Sequence, residues 1–201
     1  MNFRRLLVLT ALVVTATAGS PIFGQNRRPP SSLRQRCEPE APLTRLEDLE
    51  NHVQTIVVRG STHITTLATR DGTARVDALE VRDEGDGSST TGVAITLKNS
   101  GDQDISSRAY IDYEEIDRVI KAWDRVARTD DTITKLNNFE SSYRTKGDLE
   151  ISVFRQTPGG LVAASISGGL CNRVRIYLSL DELIKLRHMI VQAKERLDEL
   201  K

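Results

Sequence analysis

The chain is poor in the residues that most often carry chemistry. It has two cysteines, Cys37 and Cys171, and three histidines, His52, His63 and His188, scattered along its 201 residues. Metal centres need ligands in clusters, and none of these spacings supplies one, so neither a metal nor a cofactor is expected. There is no G-x-S-x-G elbow, no Walker A loop and no G-x-G-x-x-G turn, which removes the usual sequence signs of a serine nucleophile or a phosphate cradle. Gly159-Gly160 and Gly168-Gly169 read as hairpin turns instead. Charge of one sign is lacking too: 28 basic residues balance 28 acidic ones, unlike the basic surplus of a dedicated nucleic-acid binder.

Long apolar runs are also missing. The longest, residues 6–14, is shorter than the ~20 residues that span a bilayer. It follows Arg4 and Arg5 and precedes Ala16-Thr17-Ala18, the arrangement of a secretory signal peptide with an A-x-A cleavage site. The reading is a signal peptide over 1–18, with 24 as an alternative end, and a secreted or periplasmic product with no membrane attachment after cleavage. Loss of Arg4 and Arg5 leaves 26 basic residues against 28 acidic ones, a net charge of −2. Residues 25–42, with Arg27, Arg28, Pro29, Pro30, Ser31, Ser32, Pro39 and Pro42, have the composition of a flexible linker. In an oxidising compartment Cys37, in this linker, and Cys171, near the C-terminal end of the domain, either pair as one disulfide that pins the linker to the domain or stay as two free thiols.

What the chain does have is a repeat. Tyr110-Ile111-Asp112-Tyr113-Glu114-Glu115-Ile116 matches Tyr177-Leu178-Ser179-Leu180-Asp181-Glu182-Leu183 in residue class at a constant offset of 67. Each copy ends a strand and offers a cap residue, Asp112 or Ser179, with a Glu three positions on, the pattern of a capping box. The apolar positions that follow have helical period. They are Ile116, Val119, Ile120 and Trp123 in the first copy, and Leu183, Leu186, Ile190, Ala193, Leu197 and Leu200 in the second. Helices are expected over 113–128 and 180–200, with a short helical turn at Leu43, Leu46 and Leu49.

Strand signals precede both helices. In the first unit they cover 62–69, 74–82, the alternating Val93, Ile95 and Leu97, and 105–111, with 53–59 as an added strand or an extension. In the second they cover 138–145, 149–154, 161–167 and 173–178, separated by Lys146-Gly147-Asp148 and the two glycine pairs. The acidic stretch Asp83-Glu84-Gly85-Asp86-Gly87-Ser88-Ser89 does not meet the EF-hand pattern and reads as a solvated hairpin loop. The expected architecture is one α+β domain over 43–201. It would hold two pseudo-symmetric ββββα units, about 53–128 and 137–201, each an antiparallel meander covered by one helix.

This order of elements is similar to the ββββα units of Whirly-type and positive-cofactor-4-type single-strand binders over about 62–201. It lacks the basic, glycine-lysine-rich strand that Whirly proteins use, so no nucleic-acid partner is implied. The run 110–116 and the run Phe139-Glu140-Ser141-Ser142-Tyr143-Arg144-Thr145-Lys146-Gly147 also resemble a group of small exported bacterial proteins, a likeness that carries no activity over.

The best candidate surface is the side of each unit's last strand that faces away from the core. Arg108 and Tyr110 point one way there, as do Arg173, Arg175 and Tyr177. Arg and Tyr are effective at interfaces. The same residues would also make an ordinary solvated sheet face on which Arg stems lie along Tyr rings. The functional expectation is an exported, non-catalytic binding or interaction protein whose partner is a protein or polymer of the envelope or medium. The alternative is a small extracytoplasmic enzyme with no motif to announce it.

Overall fold

Alternating apolar residues in most of the eight strands, and a 3.6-residue apolar stripe in two helices, dictate the layers of the protein. The computed structural model describes residues 43–101, 105–130, 132–155, 160–170 and 172–201. The signal peptide, the linker, Cys37, Cys171 and the Pro158-Gly159 part of the expected turn lie outside the described residues.

A short helix, α1 (Arg45–Glu50), leads into β1 (Val57–Ala68), β2 (Gly72–Asp83), β3 (Ser89–Asn99) and β4 (Ser106–Asp112). A single 3₁₀ turn, Tyr113–Glu115, precedes α2 (Ile116–Ala127). The second unit comprises β5 (Phe139–Arg144), β6 (Glu150–Arg155), β7 (Ala163–Gly168), β8 (Val174–Leu178) and α3 (Leu180–Asp198). Each set of four strands forms an antiparallel meander in sequence order. The protein is therefore α+β with two ββββα units. Of the two readings of 53–59, the extension is the one found: β1 runs unbroken through Gly60-Ser61, so residues 57–59 prolong the strand of 62–69 and form no added strand.

The helices are exchanged between the units. The α2 helix packs on β5 and β6, whereas α3 lies chiefly across β1, β2 and β3 and only brushes β7 and β8. Each sheet is covered by one helix, but chiefly by the helix of the other unit. The result is one continuous core: Val76, Ile95 and Ile111 from the first sheet join Ile151, Ile166 and Ile176 from the second, with Trp123 and Leu186 from the helices. Two ion pairs join the helices to each other. Arg187 Nε lies 2.6 Å from Asp124 Oδ1 and Lys194 Nζ lies 3.5 Å from Asp117 Oδ1.

The first sheet is covered on its outer side as well. Leu46 and Leu49 of α1 sit on Leu79, Val81 and Ala94. Gly92 makes room for this: a Cβ there would fall 2.7 Å from Leu46 Cδ1 and 2.2 Å from Ile111 O. A second close approach joins the sheets, where Gly147 bridges Tyr110 of β4 and a Cβ would fall 2.1 Å from Tyr110 O.

The two capping boxes part company. In α3 the box forms: Ser179 Oγ accepts from the Glu182 N–H at 3.2 Å and the Ser179 N–H donates to Glu182 Oε2 at 2.7 Å. In the first copy both side chains are used elsewhere. Asp112 accepts the Arg45 and Leu46 amides, and Glu115 Oε1 accepts from the Lys146 N–H. With its own amides left uncapped, the first turn tightens to 3₁₀ before α2 begins.

Candidate functional site

The register of the second sheet places its outward side chains in rows. Arg144, Glu150, Ser167 and Arg175 are cross-strand partners in sequence, as are Ser142, Ser152, Ser165 and Tyr177. A third row begins with Glu140, Phe154 and Ala163. The middle of this face is made of small residues. Ser152, Ser165 and Ser167 are buried, with Ser152 Oγ and Ser165 Oγ 2.9 Å apart. The taller side chains stand around them. Phe154 and Tyr177 meet edge to face, ring centroids 6.2 Å apart at 73°, a favourable arrangement of ring quadrupoles. Across this face runs a groove of about 380 Å³, lined by residues that include Glu140, Phe154, Arg175 and Tyr177.

At one side of the face three arginines share two carboxylates. Arg173 Nη1 donates to Asp148 Oδ2 at 2.6 Å and its Nη2 to Glu150 Oε2 at 3.0 Å. Arg144 Nε also donates to Glu150 Oε2, at 2.8 Å. Arg175 is the loosest member, with Nη2 4.0 Å from Glu150 Oε1 and its side chain 48% exposed. Three cations on two anions leave one formal positive charge, and the geometry puts it on Arg175, beside the aromatic pair. Asp148 reaches its position from the turn after β5 with φ +61°, a left-handed conformation that Asp tolerates better than most residues.

The residues expected from sequence separate into two sets. Arg173, Arg175 and Tyr177 are brought together on the second sheet. Arg108 and Tyr110 share a face of β4, but Arg108 Nε donates to Thr96 Oγ1 at 3.3 Å and Tyr110 is half-buried, its hydroxyl donating to Glu50 Oε2 of α1. Burial, and then the bond to Glu50, push the Tyr110 hydroxyl up to about 12, with Arg108 opposing them in part. Tyr110 is thus a strut under α1 and not an open platform, because the alternation of β4 gives no hint that a helix will cover its outer side. Sequence reasoning missed Asp148, Glu150, the serine row and Phe154 as site residues. The signal was the alternation of Glu150, Ser152 and Phe154 with Leu149, Ile151 and Val153. Read with the hairpin register, it puts them beside Arg175 and Tyr177.

Two histidines pair with buried carboxylates elsewhere. His52 Nδ1 lies 2.6 Å from Asp83 Oδ2, and Asp83 Oδ1 accepts from Thr55 Oγ1 and, at 2.7 Å, from the Gly85 N–H. The His52, Thr55 and Gly85 bonds hold the Asp83 carboxyl down at about 2, while the bond to Asp83 raises His52 above its ordinary value. Asp83 is therefore buried and fully engaged, against the reading of 83–89 as a wholly solvated loop. On the same sheet His63 Nδ1 lies 3.0 Å from Asp77 Oδ1, which also accepts from Arg75 Nε at 2.9 Å.

Searches of protein-family models, of curated proteins and of solved structures each found no significant match to this chain.

Proposed function

We propose that the protein is an exported, non-catalytic binding protein whose ligand carries carboxylates, as a polymer, a glycan or a partner protein would, and that the outer face of the second sheet receives it. The observation that carries this reading is Arg175. Its guanidinium is the one member of the arginine–carboxylate group held only at 4.0 Å, and it lines a groove whose wall includes Phe154 and Tyr177. A guanidinium fork binds a carboxylate in bidentate fashion. Beside it the exposed Tyr177, backed by the half-buried Phe154, offers a flat apolar surface to a sugar ring or an apolar side chain. The buried serines keep the floor level, so an elongated ligand can lie across the strands.

The test uses defined oligogalacturonides and neutral malto-oligosaccharides of equal length, with calorimetry on the wild type, Arg175→Glu and Tyr177→Ala. Binding of the carboxylated series alone, weakened tenfold or more by Arg175→Glu, is the expected result. Equal binding of both series, or indifference to Arg175→Glu, would remove the reading. Mass analysis of the recovered oligosaccharide separates binding from catalysis: an unchanged ligand supports a binding protein, and a shortened one supports the enzyme alternative.

A further inference from the structure

We infer that a second site, independent of the sheet face above, lies between α2 and the open edge of β5, and that it takes an extended acidic peptide as an added strand. Three observations converge there. The first is a groove of about 770 Å³ with Ala122, Val126 and Tyr143 among its lining and Arg118, Lys121 and Arg125 beside them.

The second is charge. The groove also contains two carboxylates, but both are taken: Glu114 pairs with Arg45 at 3.0 Å and Asp117 with Lys194 at 3.5 Å. Arg118, Lys121 and Arg125 are exposed, and none has a carboxylate partner among the described residues. Their spacing of three and four puts them on one stripe of α2. The groove is thus an apolar strip under three uncompensated cations.

The third is the backbone. β5 is the end strand of its sheet and pairs only with β6. The Thr145 N–H donates to Leu149 O at 2.8 Å, which sets the alternation of the hairpin. Tyr143 with Ile151 and Ser141 with Val153 are then the hydrogen-bonded pairs, so the N–H and C=O of Ser142 point out from the open edge. Ser142 itself lines the groove. A strand laid along β5 would gain main-chain bonds at Ser142 and place every second side chain against α2. The axial span from Arg118 to Arg125 is about 10 Å at 1.5 Å per helical residue. Alternate side chains of a strand repeat every ~7 Å, so two carboxylates at i and i+2 fit the three cations.

The experiment measures fluorescence anisotropy of the full chain with four labelled probes. These are a decapeptide of alternating Glu and Val, the same peptide N-methylated at every second amide on one edge, a Lys–Val counterpart, and a thymidine oligonucleotide. The Glu–Val peptide should bind, with affinity at least tenfold lower for the N-methylated form and no binding for the Lys–Val form. The double variant R118E/K121E should lose tenfold or more, and Ser142→Pro, which removes an edge N–H that a sheet edge can spare, should do the same. Should Ser142→Pro fail to fold by circular dichroism, the N-methylated peptide still reports strand pairing. All peptide titrations are repeated in an Arg175→Glu background, which silences the sheet face, so that the losses caused by R118E/K121E and Ser142→Pro there report the α2–β5 groove alone and separate failure here from failure of the sheet-face reading. Equal binding of the N-methylated peptide overturns the proposal. Oligonucleotide binding of equal strength with the same sensitivity to R118E/K121E also overturns it, by making the groove a general polyanion surface.

Discussion

The Asp112 carboxylate receives the Leu46 amide across 66 positions of chain, at 3.2 Å, in a buried setting. Its other oxygen receives the Arg45 amide at 3.0 Å. A residue that in the second unit's counterpart starts a helix has been redirected to the N-terminus of a different one. A carboxylate there meets free amides and the positive end of the helix at once. It fixes α1 over Gly92 and Ala94, and with α1 the half-buried state of Tyr110.

Replacing Asp112 with Ala leaves two amides without their acceptor. Charge-assisted bonds of this kind contribute about 1.5–3 kcal/mol each, and part of the loss is recovered by water. Asp112→Ala should therefore lower unfolding free energy by about 2–4 kcal/mol in urea titrations. It should also bring the Tyr110 hydroxyl back toward its ordinary range, because α1 no longer covers it. An unchanged urea midpoint with an unchanged Tyr110 titration would show that α1 is held by its leucines alone.

The His52–Asp83 pair ties the chain just after α1 to the hairpin between β2 and β3, and its pH dependence has two limbs. His52 is raised when folded, so its contribution is complete below its unfolded value and disappears as pH rises through the folded one. Asp83 is lowered from 3.8 to about 2, so its contribution is present above 3.8 and is lost as pH falls toward 2. The tie should be strongest between about pH 4 and 6.5. Thermal melts of wild type should weaken above that window, and His52→Gln should flatten the alkaline limb. Asp83→Asn should return the His52 imidazole to its ordinary titration by NMR. A His52 titration that ignores Asp83→Asn would dismiss the pairing.

The helix stripe Ile116, Val119, Trp123 and the offset of 67 were legible because period and class survive in one dimension. Their burial in the structure follows from those patterns alone. Two things were not legible. The docking of α1 depends on Gly92 and Ala94 being small on a face that alternation marks only as outward, and small residues do not announce what covers them. The site on the second sheet depends on register, which only becomes visible once Thr145 and Leu149 close the hairpin. Arg173, Arg175 and Tyr177 could be chosen from one strand, while their partners Asp148, Glu150 and Phe154 required its neighbours.

Export and the cysteines are checked together. Arg4, Arg5 and the residues 6–14 should be absent from the exported protein, whose intact mass should place its first residue near Gly19 or Gln25. Retention of residues 1–14 in that protein would exclude a cleaved signal. On the same sample, peptide mapping without reductant distinguishes a linked Cys37–Cys171 peptide from two alkylated thiols. A bridge closing so long a loop contributes roughly 4–5 kcal/mol in the chain-entropy model. Reduction should then lower the melting temperature only if the linked peptide is found.

The exchange of helices between units makes the sharpest prediction about folding. A tandem of independent ββββα units would let residues 43–130 and 137–201 fold separately. Here Leu186 and Ile190 of α3, both fully buried, belong to a helix that lies mainly on the first sheet. Val119 and Trp123, buried likewise, belong to the helix on the second. Cut apart, each half exposes the apolar face of its sheet and carries a helix shaped for the other. Leu186→Ala should cost about 2–5 kcal/mol, as a buried leucine does, and Leu186→Asp should unfold the whole domain in one transition by burying an unpaired charge. Ile120→Asp should be milder, since Ile120 is only partly buried. Neither half should give a dispersed amide spectrum alone, whereas mixing them should restore one, with the Arg187–Asp124 pair re-formed. Dispersed spectra from the isolated halves would mean that each helix can cover its own sheet, and that the exchange is not what holds the two units together.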